Sequence, residues 1–170
     1  MKKPTQKEIK AFNEIKACLD AMSKESARGL VLTAVAMIED LLGQSIRSFL
    51  VGGKATDKLM EGSLSSLSAR LLAASALGLV SEIEYRDCEI MRKIRNEFAH
   101  SVHVSFDDTK IRDLCTNLKL CASDYLEARE SARKRYIMAA ITLILNLTNR
   151  PNHVATHRLH YRPWPLNPTL

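Results

Sequence analysis

Aromatic side chains are scarce, at 5% of 170 residues, so leucine, isoleucine, alanine and methionine must build the core. That favours helices over a β-sandwich. The four cysteines, Cys18, Cys88, Cys115 and Cys121, show no CxxC spacing, so neither a zinc site nor a disulfide framework is indicated and reduced thiols in a cytoplasm fit best. The longest apolar run, Tyr136 to Leu147, is far short of the roughly 20 residues of a membrane span. The opening MKKPTQKEIK also lacks the apolar core of a signal peptide. A cytoplasmic chain with no membrane contact is expected. No cofactor and no metal are expected either. GGK at 52–54 lacks the GxxxxGK(S/T) spacing of a phosphate loop and the strand before it. His153, His157 and His160 lie among asparagine, arginine and proline, which suits a solvated segment better than a metal site.

Acidic residues are missing altogether after Glu130. Of the 25 lysines and arginines, six (Arg133, Lys134, Arg135, Arg150, Arg158 and Arg162) fall in that last stretch, which leaves 19 basic residues against all 19 acidic ones before it. The net charge of +6 is therefore a property of the C-terminal end. A phosphate-binding surface spread over the body is not supported, whereas nucleic-acid contact through the basic end, at Arg158 and Arg162, remains open.

What is present is an ordinary globular composition, with 46% hydrophobic and 26% charged residues, in a chain long enough for one core. Apolar residues recur at helical spacing almost throughout. Ile9, Phe12, Ile15, Leu19 and Met22 mark a first helix over 5–22, and 26–50 is apolar on most faces, as a central helix should be. VGGKATD at 51–57 is expected to be a loop, with Ser63 capping a helix that runs to Leu77 and stops at Gly78. Ser81 and Glu84 form a capping box for a helix burying Ile83, Ile90, Met91, Ile94 and Phe98. Further helices are expected from Asp107 or Asp108, with Ile111, Leu114, Leu118, Cys121 and Tyr125 inward, and over about 132–147. Pro151, Pro163, Pro165 and Pro168 should end regular structure. No strand alternation, repeat or exposed recognition helix is found. The fold class is all-α: one bundle of about six to seven helices over 1–149 and a basic, irregular tail over 150–170. The all-round apolarity of 29–42 and 136–147 points to a homodimer.

Three long segments, ARGLVLTAVAMIEDLL, LSSLSARLLAASALGLVSEIEYRDCEIMRKIRNEFAHS and SFDDTKIRDLC, resemble the mannitol operon repressor family of bacterial proteins over roughly residues 27–121. The resemblance implies an all-helical transcriptional regulator without a recognisable DNA-binding motif, acting through a protein partner or on an operator. Within the second segment, RNEFAH also matches the R-N-x-x-x-H signature of HEPN domains, helical bundles often found as dimeric, metal-independent ribonucleases. In that reading Arg95 grips a phosphate, His100 moves a proton and Asn96 orients either. Positions five apart on an ideal helix differ by about 140° in direction, so Arg95 and His100 converge only if the helix ends between them or a second copy supplies one.

A structural role suits the same residues. A histidine in the last turn of a helix satisfies free carbonyls, Asn96 can donate to a neighbouring helix, and Arg95 has Asp87, Glu97 or Asp107 as prospective ion-pair partners. The expectation is a repressor-like regulator that binds a protein through Arg92, Arg95, Asn96 and His100, with Arg158 and Arg162 as further contacts. Ribonuclease chemistry by Arg95, Asn96 and His100 is the alternative.

Overall fold

The computed structural model describes residues 20, 22, 24–121 and 131–164. Among them are seven helices and no strand: α1 (Ala27–Phe49), α2 (Lys54–Glu61), α3 (Leu67–Ala76), α4 (Glu82–His100), α5 (Thr109–Thr116), α6 (Ala132–Thr148) and α7 (Arg150–Ala155). The helix expected over 5–22 and the position of Tyr125 lie outside the described residues.

Helix α1 is the hub. Its Leu30, Val31, Ala34, Ile38, Leu42 and Ile46 are fully or almost fully buried, because α3, α4, α6 and α7 all pack against it. Its 23 residues are long and apolar enough to cross a membrane by length and composition. Here that apolarity is used inside the bundle. The same holds for 136–147, where Tyr136, Ala139, Ala140, Leu143, Ile144 and Leu147 face the core. The two runs that suggested self-association are thus largely covered within one chain. A chain of rings, Phe98, Phe106 and Tyr136, with centroids 5.2 and 5.5 Å apart, joins α4 to α6 through the loop between α4 and α5.

Several ends form as the local chemistry dictates. The capping box is complete, with Ser81 N–H donating to Glu84 Oε2 at 2.8 Å and Glu84 N–H to Ser81 Oγ at 3.3 Å. Gly78, at φ +69°, closes α3: Leu79 N–H reaches Ala74 O and Gly78 N–H reaches Ser75 O, the paired bonds of a Schellman stop.

Other expectations need correction. The loop forecast for 51–57 is short, and α2 begins at Lys54, because the glycine pair acts as a hinge (Gly53, φ +125°) ahead of KATDKLME, which turns Thr56 and Met60 inward. The cap of α3 is Ser66, not Ser63, since Gly62 to Leu64 complete the turn that ends α2. Ile83 is 51% exposed. The inward positions of the first half of α4 are instead Glu84, Asp87 and Cys88. Helix α5 stops at Thr116, and Leu118 and Cys121 are buried from an irregular turn. Asp87, fully buried, holds that turn: its carboxylate accepts the backbone N–H of Lys119 at 3.0 Å and of Leu120 at 2.8 Å. Burial pushes the Cys88 and Cys115 thiols up to about 12, so they act as small apolar side chains.

The segment expected to be an irregular tail starts with α7. Pro151 sits in the first turn of this helix, where a missing N–H costs nothing, and Val154 is buried. Arg150 fixes it. Its guanidinium donates to Leu79 O at 2.6 Å and to both Glu84 oxygens at 3.2 and 2.8 Å. Burial by itself would raise the Glu84 carboxyl, but Arg150 and the Ser81 N–H outweigh it and hold the group below its ordinary 4.5. Beyond α7 the chain is tied back to the end of α1, with Leu159 N–H on Phe49 O at 2.7 Å and Arg158 Nε on Leu50 O at 3.0 Å.

Several arginines, two of them from the basic C-terminal end, bond to carbonyls instead of carboxylates. Arg28 donates to Ser101 O, Arg70 to Leu64 O and Glu39 O, Arg135 to Cys115 O and Thr116 O, and Arg158 to Leu50 O. Apart from Glu39 O, which lies mid-way along α1, these carbonyls are at or near helix ends. Carbonyls are neutral, so Arg135 and Arg158 keep their full share of the positive charge of the C-terminal end.

Candidate functional site

Helices α1, α3 and α4 leave an open groove of about 370 Å³ between them. Helix α1 contributes Val35 and Glu39, the start of α3 contributes Ser65, Ser66, Leu67 and Ser68, and α4 contributes Arg92, Arg95 and Asn96. The three α4 residues share a face because they stand at i, i+3 and i+4. That shared face is the part of the groove visible in the sequence. Nothing in the sequence pointed to Glu39 or to the serines as groove residues, since their placement depends on how α3 folds back over α1.

The groove's electrostatics are mixed. Arg92 makes a two-pronged pair with Glu89, at 3.0 and 2.9 Å, which holds the Glu89 carboxyl below its ordinary value, with burial opposing. Arg95 is exposed and donates to Asn96 Oδ1 at 3.3 Å. Of the three acids expected to pair with Arg95, Asp87 is buried on the turn at 119–120 and Glu97 pairs with Lys110 at 2.7 Å, and Asp107 makes no described ion pair with it. Asn96 does not reach across to another helix through any described hydrogen bond. Arg95 and Asn96 therefore present a guanidinium and an amide to the groove. On the other side of the opening, Ser66 is occupied as the N-cap of α3, accepting Ala69 N–H at 3.3 Å.

His100 lies elsewhere. Helix α4 is unbroken through His100, so the route by which a helix end would bring it round to Arg95 is closed. Its side chain is exposed and is not part of the groove. The helix end beside it is finished by Arg28, which donates to Ser101 O. No histidine lines the groove, and no described hydrogen bond joins one of its serine hydroxyls to Glu39, its one carboxylate.

Arg158 and Arg162 are at the opposite end of α1, beside the tail, where Val51, Leu159, His160, Tyr161, Arg162 and Trp164 surround a second opening of about 370 Å³. Among the described residues no cluster of three metal-ligating side chains occurs. His153 and His157 stack with ring centroids 5.9 Å apart.

No protein-family model and no curated protein sequence matches the chain. Among solved structures, a chain of the "X-ray structure of the MtlR-HPr complex from Escherichia coli" is similar over 84% of this chain and 97% of that one, with a TM-score of 0.58 and 23% identity. The likeness establishes a shared all-helical fold, in line with the family resemblance of residues 27–121.

Proposed function

We propose that this protein is a regulator of the mannitol-repressor type that works by docking a protein partner, and that the groove of α1, α3 and α4 is the docking site. The observation that carries this reading is the exposed Arg95–Asn96 pair in an open polar groove that no histidine lines. A guanidinium that makes no described ion pair, beside an amide and hydroxyls, suits a partner's carboxylates and carbonyls. No described hydrogen bond there pairs a serine nucleophile with a base.

The fold likeness supplies the first partner to try. The E. coli relative was solved as a complex with HPr, so HPr is the candidate ligand here. Calorimetric titration of HPr into the purified protein should give a saturable isotherm, and Arg95→Glu should abolish it with little change in melting temperature, because Arg95 is exposed. Binding that is absent from the wild type, or indifferent to Arg95→Glu, would sink the groove as the HPr site.

The ribonuclease alternative needs a second copy. With α4 continuous, a site uniting Arg95 and His100 must take one of them from another chain. Cleavage of RNA without metal, lost in His100→Ala, is the result that would favour it.

A further inference from the structure

We propose that the strap after α7, residues 157–164, is a binding platform for single-stranded nucleic acid, with Tyr161 and Trp164 stacking on bases and Arg158 and Arg162 meeting phosphates. The surface is distinct from the groove of α1, α3 and α4, and the proposal stands whether or not that groove binds HPr.

The strap is anchored, not loose. Leu159 N–H is bonded to Phe49 O and Arg158 Nε to Leu50 O. The Arg158 guanidinium also lies against Gly52, where a Cβ would come within 2.6 Å of it and displace the side-chain tip. An anchored segment presents its side chains in a fixed arrangement, which lowers the ordering cost of binding. What it presents is unusual. Tyr161 is 82% and Trp164 80% exposed, although the chain has one tryptophan and few aromatics. Large aromatic faces left in water beside a groove mark an interaction surface.

The order of residues names the occupant. HRLHYRPW interleaves two arginines, Arg158 and Arg162, with two aromatic rings, Tyr161 and Trp164, and no acidic side chain follows Glu130 in the chain. Arg162 has no carboxylate partner among the described residues. Alternating positive charge and open π-faces matches the phosphate–base alternation of a single strand, whose unstacked bases can lie on aromatic rings. A duplex keeps its bases stacked inside and would meet only the charges. An acidic peptide would likewise use the arginines and leave the rings idle.

Because Trp164 is the chain's one tryptophan, its fluorescence reports this site alone. Adding a twelve-residue oligouridylate or oligothymidylate to the full chain at low salt should quench the emission saturably. Trp164→Ala and Tyr161→Ala should each weaken oligonucleotide binding by about 5- to 150-fold, measured by anisotropy of a labelled strand. Trp164→Phe should restore most of it, and Arg162→Ala should flatten the salt dependence by about one phosphate contact. All four variants should keep the wild-type circular dichroism, since the positions are exposed. The proposal is overturned if saturating oligonucleotide leaves the emission unchanged. It is equally overturned if a duplex or polyglutamate binds as tightly as the single strand, or if Trp164→Ala binds like wild type.

Discussion

Replacing Arg150 with methionine removes the only cation hydrogen-bonded to the Glu84 carboxylate among the described residues. The side chain of Glu84 is 5% exposed and that of Arg150 23%, so the pair is largely out of water. Deleting one partner of such a pair typically costs about 3–5 kcal/mol, because the other charge is left stranded. Two features moderate the figure here: the Ser81 N–H still serves Glu84, and water reaches the Arg150 side. A loss of about 3 kcal/mol is expected, which for a chain of this size lowers the melting temperature by about 6–12 °C. Pairing the change with Glu84→Gln, which keeps a capping-box side chain, should recover much of the loss. The pH dependence gives a second readout. In the wild type the folded Glu84 carboxyl lies below its ordinary 4.5, so its contribution is present above that pH and is lost as pH falls through the folded value. In Arg150→Met, burial is left to raise the group, so acid protonates it more readily in the folded state. The stability gap between wild type and variant should therefore shrink as pH drops through about 4.5 and below. The assay is thermal unfolding by circular dichroism from pH 7 to pH 3. A melting temperature within about 1 °C of wild type at pH 7, or a gap that widens in acid, would refute the reasoning. The same pair implies that truncation after residue 149 is not neutral, contrary to what a free tail would allow.

Asp87→Ala should leave the Lys119 and Leu120 amides without an acceptor, costing about 1–3 kcal/mol for each in denaturant unfolding; a loss under about 0.5 kcal/mol would show that water serves them equally well. Tyr136→Phe removes only a long bond, 3.4 Å to Val31 O, and should cost no more than about 1 kcal/mol. By contrast Phe98→Ala opens the ring cluster and should cost about 3–5 kcal/mol, and the two variants compared by urea midpoints check the ranking. Purified protein incubated with RNA in chelator should show no cleavage that His100→Ala removes, and gel analysis of both proteins decides the point.

How much could be read from the chain alone differs by element. Periodicity set both the central helix and the helix over 132–148 to within a residue at each end, because both are long and carry caps, Ser26 and Ser131, at their starts. The Ser81–Glu84 box was legible because both halves are local. Short helices were harder. KATDKLME was hidden behind two glycines that read as loop, and α7 behind a proline that starts a helix as readily as it ends one. Buried polar residues were invisible. Glu84 and Asp87 look like exposed acids of an amphipathic helix until Arg150, 66 residues on, and the turn at 119–120 arrive through the tertiary fold. The candidate site was half legible for the same reason: Arg92, Arg95 and Asn96 share a helical face, but the removal of His100 from that face's groove and the addition of Glu39 and the α3 serines depend on packing between helices.

Hydrogen–deuterium exchange on the protein with and without HPr tests the docking proposal most directly, since it maps contact without assuming a residue. The account predicts added protection at the start of α3, around Ser65 to Ser68, and in α4 around Arg92 to Asn96, with the strap at 157–164 unaffected. Protection confined to the strap, or none at saturating HPr, would contradict it.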